Sequence, residues 1–276
     1  MKLGCTMYSF NRQARAGEIG IEAFLDYCGG IGLDGVDLLS YSWTDQAAEM
    51  ASVPEWLQRN RLTLAAYAVG NNFVQTEATA RATHLQMVRD GVDTAARLGA
   101  PVLRVFGGSR PKAGPGALSP TNALQLAIDG LGTSAAYAQS KGVVLGIENH
   151  GGLPGTAAEV RQVLDAVNSP ALRLILDVGN FVGVGDDPVA ATRSLAQYVA
   201  HVHLKDLGPA PTEENTRREN VPLGDGTIDL AQIFRILNDN GYAGYLSIEY
   251  EGRADPIEAV RRSAAHVRKL LGDLTP

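Results

Sequence analysis

The sequence predicts an α/β protein of the (β/α)8 TIM barrel class, and three observations lead to this prediction. Eight short segments rich in apolar and β-branched residues alternate with longer segments in which apolar residues recur every three or four positions. The chain has 276 residues, which suits one such barrel. No change in composition marks a linker, so residues 1–276 are expected to form a single domain. An open, doubly wound sheet is the alternative.

The predicted strands are short segments bounded by glycine, proline or polar residues. In chain order they are KLGCTMYSF, GVDLLS, LTLAAYAVG, PVLRVFGG, VVLGIENH, LRLILDVGN, HVHLKD and YLSIEYEG. The fifth contains the continuous apolar run of Val143, Val144 and Leu145, followed by Ile147. Such a run is typical of a parallel strand that helices cover, and less typical of a strand with one solvated face. This favours a parallel sheet.

Helices are predicted between the strands. Apolar residues recur at three and four positions in residues 124–142 and in the segment that ends in TAARLG, and each of these segments closes on a glycine. Glycine is a common C-terminal stop for a helix. Residues 254–272 predict a last helix, which would complete the ring around the barrel.

Charge and composition exclude several kinds of partner. The formal net charge is −6 and the basic residues are scattered, so no basic face is expected for binding nucleic acid. No apolar stretch approaches the ~20 residues that cross a membrane, and the N-terminal residues do not resemble a secretion signal. Two cysteines, Cys5 and Cys28, are expected to be buried thiols. We therefore expect a cytoplasmic protein that binds neither nucleic acid nor membranes.

Polar side chains end four consecutive predicted strands, the fifth to the eighth. These residues are Glu148, Asp177, His203 and Glu249. In a (β/α)8 barrel the carboxyl ends of the strands surround the active site, so the four side chains are expected to meet there. Three carboxylates buried together would repel one another unless a cation neutralised them. Oxygen and imidazole ligands suit Mn²⁺ best, with Mg²⁺, Co²⁺ and Zn²⁺ as alternatives.

The motifs VGNNF, VLRVFGG, GIENHGG, LDVGN, HVHLKD, PLGDGTID and GYLSIEYEG together resemble the xylose isomerase-like TIM-barrel superfamily, the sugar phosphate isomerase/epimerase family. The resemblance covers nearly the whole chain. It implies that Glu148, Asp177, His203 and Glu249 bind one metal ion. It also implies that Glu148 and Glu249 exchange protons with the substrate, as the two glutamates of the epimerase members do.

The chain departs from some members of that superfamily at Asn180. Several ketose epimerases and the endonuclease IV branch carry a histidine at this position. An amide can bind a substrate oxygen but cannot transfer a proton at neutral pH. The endonuclease branch also needs further histidines on its early strands, and AYAVGNNF and VLRVFGG contain none. DNA repair is therefore not the expected function.

The resemblance implies an enzyme that acts on a small carbohydrate. The first hypothesis is an isomerase or 3-epimerase of a ketose or related polyol ketone, working through an enediolate. The alternatives are a lyase or dehydratase acting on an inosose or a 3-keto-glycoside, and a sugar-binding barrel without catalysis. The sequence leaves open the exact substrate, its phosphorylation and the oligomeric state, a homo-oligomer included.

Other polar and aromatic residues near the predicted strand ends are candidates for binding substrate. They are His150, Asn180, Lys205, Arg217, Asn71, Trp43 and Arg104. Arg104 lies in an otherwise apolar strand, so it requires a buried anionic partner or a substrate oxygen. His201, two residues before His203, is expected to be a hydrogen-bonded core histidine. Residues 206–229 are too long for a minimal connection and predict a lid over the metal.

Overall fold

The computed structural model, which describes residues 1–112, 114, 117–210 and 218–274, contains a closed barrel of eight parallel strands. The barrel strands are Lys2–Thr6 (β1), Gly35–Leu39 (β2), Thr63–Ala68 (β3), Val102–Val105 (β4), Val144–Glu148 (β5), Leu172–Asp177 (β6), Val199–Leu204 (β7) and Tyr245–Ile248 (β10). Between the last two lies a separate antiparallel ribbon of Asp206–Leu207 (β8) and Asn220–Val221 (β9). Around the barrel each strand pairs with its neighbours in the chain, and β1 closes the ring on β10. The predicted fold class is confirmed.

Helices connect the strands, as predicted. They are Asn11–Arg15 (α1), Ile21–Gly30 (α2), Gln46–Asn60 (α3), Ala78–Leu98 (α4), Pro120–Ser140 (α5), Ala157–Val167 (α6), Asn180–Gly183 (α7), Pro188–Leu195 (α8), Leu230–Asp239 (α9) and Pro256–Gly272 (α10). Short 3-10 helices span Met7–Phe10 and Ala196–Tyr198. Side-chain caps start many helices; the Thr156 hydroxyl, for example, accepts from the Glu159 N–H. Among the described residues, no helix is long and apolar enough to cross a membrane.

Several strands are shorter than the sequence predicts, because side chains take over the backbone hydrogen bonds at their ends. The first predicted strand extends to Phe10, but β1 ends at Thr6, whose hydroxyl accepts from the Tyr8 N–H and starts the 3-10 helix. The fourth ends at Val105. Beyond it, the side chain of Asn71 binds both the N–H and the carbonyl of Phe106, at 2.9 and 2.6 Å. The chain therefore leaves the barrel there.

The interior of the barrel changes from apolar to polar along the strands. Alternate residues of a strand face the same side, so Val102 shares the inner face with Arg104, and Ile175 shares it with Asp177. Val102 and Ile175 pack with Ala66 in an apolar cluster of their own. The polar residues follow toward the carboxyl ends of the strands. This order places the charged groups at the mouth of the barrel.

The segment 206–229, predicted as one lid loop, begins with the ribbon and has an ordered base. Asp206 is buried, and its carboxylate accepts hydrogen bonds from four backbone N–H groups, those of Leu207, Gly224, Gly226 and Ile228. A Cβ added at Gly226 would collide with this carboxylate, and Gly224 has a φ of 92°. The GDG turn at residues 224–226 thus forms a cradle for Asp206. Residues 211–217 lie outside the described part of the chain.

Candidate metal centre

The four predicted metal ligands come together at the mouth of the barrel. Glu148, Asp177 and His203 lie on β5, β6 and β7, and Glu249 directly follows β10. One ligand atom from each lies within 4.8 Å of the others. All four side chains are buried, and none is more than 8 % exposed. The strand-end pattern in the sequence therefore corresponds to one cluster in space.

Four buried polar atoms of these residues have no hydrogen-bond partner among the described residues: Nε2 of His203, which points away from the cluster, and three that face it, Asp177 Oδ2, His203 Nδ1 and Glu249 Oε2. Nδ1 of His203 lies 2.8 Å from Glu249 Oε2 and 3.8 Å from Glu148 Oε1, but these contacts do not have hydrogen-bond geometry. Buried polar atoms are normally satisfied. A divalent cation among oxygen and imidazole ligands would satisfy all three, so the residues present fit a metal ion.

Neighbouring groups fix the orientation of Asp177. Its Oδ1 accepts from the backbone N–H groups of Gly179 and Asn180, at 2.9 and 3.0 Å. The other carboxylate oxygen, Oδ2, therefore faces the cluster. The side chain of Asn149 donates to the Asp177 carbonyl and accepts from its N–H, both at 2.9 Å. These bonds tie the ends of β5 and β6 together, so two ligands are held on one rigid unit.

Two buried cations contact the carboxylates. Nε of Arg104 lies 3.4 Å from Glu148 Oε2, which supplies the anionic partner that the sequence requires. Nζ of Lys205 lies 3.0 Å from Asp177, 3.6 Å from Glu249 and 2.5 Å from Glu251. These two positive charges offset part of the negative charge at the mouth, which makes its burial less costly.

Asn180 connects the two sides of the centre. Its Nδ2 donates to Glu148 at 3.3 Å, and its Oδ1 accepts from Nζ of Lys205 at the same distance. Asn180 and Lys205, with Glu251 and Arg218, line a cavity of about 570 Å³ beside the cluster. Two of the predicted substrate-binding residues therefore face open space next to the metal ligands.

The acidic groups differ in their pKa values. Burial, together with the charges of Glu249 and Glu148, raises the pKa of Asp177 to about 7, although Lys205 opposes this shift. Burial also disfavours the charged form of Glu148, but its contacts with His203 and Arg104 outweigh burial, and its pKa lies well below the usual range. For Glu249, Lys205 and His203 overcome burial, and its pKa is lowered. Without a cation, both glutamates are thus the ionised members of the cluster.

Three of the predicted substrate-binding residues make no side-chain hydrogen bond or ion pair with the four ligands. The ring of His150, which is exposed, lies 4.8 Å from that of Phe106. Asn71 uses its amide on the backbone of Phe106, as described above, and Nε1 of Trp43 donates to the Tyr67 hydroxyl at 3.0 Å. His150 and Asn71 line a second cavity, of about 480 Å³. Arg217 falls outside the described residues, so its role stays a prediction.

Two acidic residues near the centre, Asp37 and Glu251, are not among the site residues predicted from the sequence. Asp37 lies in the middle of the buried strand β2, where a carboxylate is as unexpected as Arg104 is in β4, and the same criterion would have found it. Its Oδ2 lies 2.9 Å from Nε2 of His201, so His201 is a hydrogen-bonded core histidine as expected. Glu251 follows Glu249 at the strand end and contacts Lys205.

The closed barrel and the buried acidic cluster at its mouth define a class of protein. Residues 25–270 match the model of the xylose isomerase-like TIM barrel family, and the chain belongs to that family. Among relatives, it is 31% identical to an inosose dehydratase of Clostridium perfringens over 157 residues. That match covers 51% of this chain and 52% of the relative, so the similarity spans about half the length of that relative.

Solved structures share the whole fold. The IolI protein, solved with a zinc atom bound, superimposes with a TM-score of 0.81 at 16% identity, covering 99% of both chains. A D-psicose 3-epimerase solved in the presence of D-fructose superimposes with a TM-score of 0.79 at 20% identity. This match covers 99% of this chain and 100% of the epimerase. At these identities the superpositions show the fold alone.

Proposed function

We propose that the protein is a metal-dependent isomerase or 3-epimerase of a ketose or related polyol ketone. The observation that carries the proposal is the cluster of Glu148, Asp177, His203 and Glu249, which are buried together and offer ligand atoms within 4.8 Å of one another. The similarity of the fold to that of a D-psicose 3-epimerase supports a carbohydrate substrate. The ligand set suits Mn²⁺, and the zinc in the IolI protein makes Zn²⁺ the first alternative to test.

The proposed chemistry is removal of a proton next to a carbonyl group. When bound, a divalent cation would polarise the carbonyl and make the neighbouring C–H more acidic. Glu148 and Glu249 stand on β5 and after β10, with β6 and β7 between these strands, so they approach the centre from the two ends of one arc of the barrel. Both are ionised in the metal-free site. One glutamate can therefore take a proton from one face of the substrate while the other returns a proton to the opposite face.

The surrounding residues would bind and orient the substrate. Lys205 and Asn180 line the cavity beside the cluster and present an ammonium and an amide to it. Hydroxyl and carbonyl oxygens of a sugar are suitable partners for such groups. Arg104 contacts Glu148 and keeps this carboxylate in place. These residues supply the polar contacts that fix one orientation of a small ligand.

A second candidate is a lyase or dehydratase acting on an inosose or a 3-keto-glycoside. The observation that favours it is the similarity to inosose dehydratase. The first step is the same in both reactions, because either glutamate removes a proton next to the carbonyl. In the elimination, however, the oxygen substituent on the β-carbon then takes up a proton and leaves, as water from an inosose or as the aglycone alcohol from a 3-keto-glycoside, and no proton returns to carbon. A sugar-binding barrel without catalysis is the third hypothesis.

One experiment separates the three candidates. The protein is incubated with Mn²⁺ in deuterated water against a panel of free ketoses, inososes and 3-keto-sugars. An isomerase or epimerase incorporates deuterium and conserves the mass of the carbon skeleton and its oxygens. A dehydratase gives a product that lacks water and absorbs in the ultraviolet as a conjugated carbonyl. Saturable binding without any exchange of deuterium would refute both enzymatic proposals.

A further inference from the structure

The imidazole of His203 has a carboxylate on each side. Its Nδ1 faces Glu148 and Glu249 in the metal cluster. Its Nε2 points the other way, into the barrel, where Oδ2 of Asp37 lies at 3.4 Å. Asp37 is itself only 1 % exposed, and its contact with His203 was not predicted from the sequence.

On the inner side of His203, one carboxylate among the described residues lies close enough to accept a hydrogen bond from Nε2, that of Asp37. Among the described residues, Nε2 of His203 has no hydrogen-bond partner, and neither has Oδ1 of Asp37. The closest ion-pair partner of Nε2 is the Asp37 carboxylate. A neutral imidazole carries its proton on one ring nitrogen and has a lone pair on the other. If the proton lies on Nε2, a small rotation of the Asp37 carboxylate completes a hydrogen bond to it.

His201 holds the Asp37 carboxylate in place. Its Nε2 contacts Asp37 Oδ2 at 2.9 Å, and its ring stands perpendicular to that of His203, with 5.3 Å between the ring centroids. Both histidines lie on β7 and face inward, two residues apart. Asp37 comes from β2, on another side of the barrel. The carboxylate is therefore anchored to the strand that carries His203.

We propose that Asp37 is a positioning residue, which accepts the Nε2 proton of His203 and thereby directs the Nδ1 lone pair to the metal ion. The inference rests on the proposed function, because it requires His203 to bind the metal. A ligating histidine whose other nitrogen is bound to a carboxylate has a fixed ring orientation and a more basic ligand atom. Among the described residues, His203 is the one member of the cluster that Asp37 contacts, so the effect of Asp37 passes through His203.

The test measures Zn²⁺ binding, not catalysis. Dissociation constants are obtained by competition with a chromophoric chelator for the wild type and for D37N, D206N and H203A. Asp206 is the matched control, because it is a similarly buried aspartate whose carboxylate, within the described part of the chain, accepts hydrogen bonds from backbone N–H groups alone. We expect D37N to weaken Zn²⁺ binding about 10- to 100-fold. D206N should change it less than about threefold.

A second measurement uses only the wild-type protein, so the inference does not depend on the folding of a variant. The chain has five histidines, and ¹⁵N–¹H correlation spectra of their rings in the Zn²⁺-bound protein identify the protonated nitrogens. We expect His203 to be protonated at Nε2 and bound to zinc through Nδ1. H203A assigns its signals by their disappearance.

The outcomes separate this inference from the proposed function. If H203A binds Zn²⁺ as tightly as the wild type, the proposed metal centre is wrong and the role of Asp37 falls with it. If H203A loses Zn²⁺ but D37N keeps wild-type affinity, only the role of Asp37 is wrong. Zinc bound at Nε2 of His203 would also overturn it. So would two Zn²⁺ ions per chain with one lost in D37N, because Asp37, His201 and His203 would then form a second metal site.

Discussion

At the scale of the residue, the central question is how Glu148 and Glu249 share one site. Both are buried and both are held by positive groups, Glu148 by Arg104 and Glu249 by Lys205 and His203. A buried carboxylate with such partners stays ionised, which is the form that a base requires. The two glutamates also differ in their position around the barrel. Their roles therefore follow from which face of the substrate each can reach.

Replacing either glutamate by glutamine should remove the base and keep the shape. We expect E148Q and E249Q each to lower kcat by about 10²- to 10⁴-fold, with a much smaller change in KM. Steady-state kinetics on the substrate found in the deuterium screen measure this. E258Q is the control, since Glu258 is exposed and pairs only with Arg261 on the surface. Near-normal turnover in both site variants, with metal bound, would show that neither glutamate is the base.

The four predicted ligands could be chosen from the sequence because strand ends are visible in local patterns. Each ligand follows an apolar run, and the barrel brings such ends together whatever the details of packing. The contact between Asp37 and His203 was not predictable in this way. It joins β2 and β7, which are not adjacent in the barrel, and depends on how the strands are staggered. The pairing of Lys205 with Asp177 and Glu251 likewise requires knowledge of the loops after the strands.

At the scale of the element, the ribbon of β8 and β9 lies beside the cavity at the mouth of the barrel. Its base depends on Asp206, whose carboxylate accepts the backbone bonds of the GDG turn. Arg218, which lines the cavity beside the metal cluster, donates to the carbonyl of Gly208 and to the Thr227 hydroxyl. The ribbon and the turn therefore form one unit beside the substrate cavity. No atom of this unit belongs to the ligand cluster.

Breaking the base of the ribbon should impair substrate capture and spare the metal. In D206N an amide NH2 replaces one acceptor oxygen and faces backbone donors, which costs about 1–3 kcal/mol. We expect kcat/KM to fall by about 10-fold or more while the affinity for Zn²⁺ stays within threefold. Kinetics and the chelator competition measure the two effects separately. An unchanged kcat/KM would show that this segment does not act as a lid.

The helices around the barrel depend on their buried faces. Phe234 on α9 is completely buried, whereas Ile257 on α10 is 52 % exposed. F234A should lower the free energy of unfolding by about 3–5 kcal/mol, because it removes packing and leaves a cavity. I257A should change it by no more than about 0.5 kcal/mol. Denaturant titration of both variants compares them directly. Equal losses of unfolding free energy would contradict the burial of Phe234 against the barrel.

At the scale of the whole molecule, the four predicted metal ligands all lie on one arc of the barrel. They come from β5, β6, β7 and the end of β10, which are consecutive around the ring. Without a cation these strands hold carboxylates that repel one another, and burial together with this repulsion raises the pKa of Asp177 to about 7. A bound ion would replace that repulsion with attraction. Metal binding should therefore stabilise the entire fold.

Zinc or manganese at 100 times the dissociation constant should stabilise the protein by about 2.7 kcal/mol, which corresponds to a rise in Tm of roughly 5 °C. Differential scanning calorimetry on chelator-treated protein, with and without added ion, measures this shift. H203A is the control and should show little or no rise. Chelation should abolish activity in the wild type, and added ion should restore it. Full turnover in protein freed of metal would refute the proposed centre.

The placement of the ligands on one arc of the ring also has a consequence for how such a protein can diversify. The loops that follow β2, β3 and β4 carry Trp43, Asn71 and Phe106, and none of these belongs to the ligand cluster. Under the proposed function, changes in those three loops would alter which molecules enter, while the predicted metal ligands and acid–base residues would stay the same. Substrate choice and catalytic chemistry would thus depend on different parts of the same chain, so that each could change in evolution without the other.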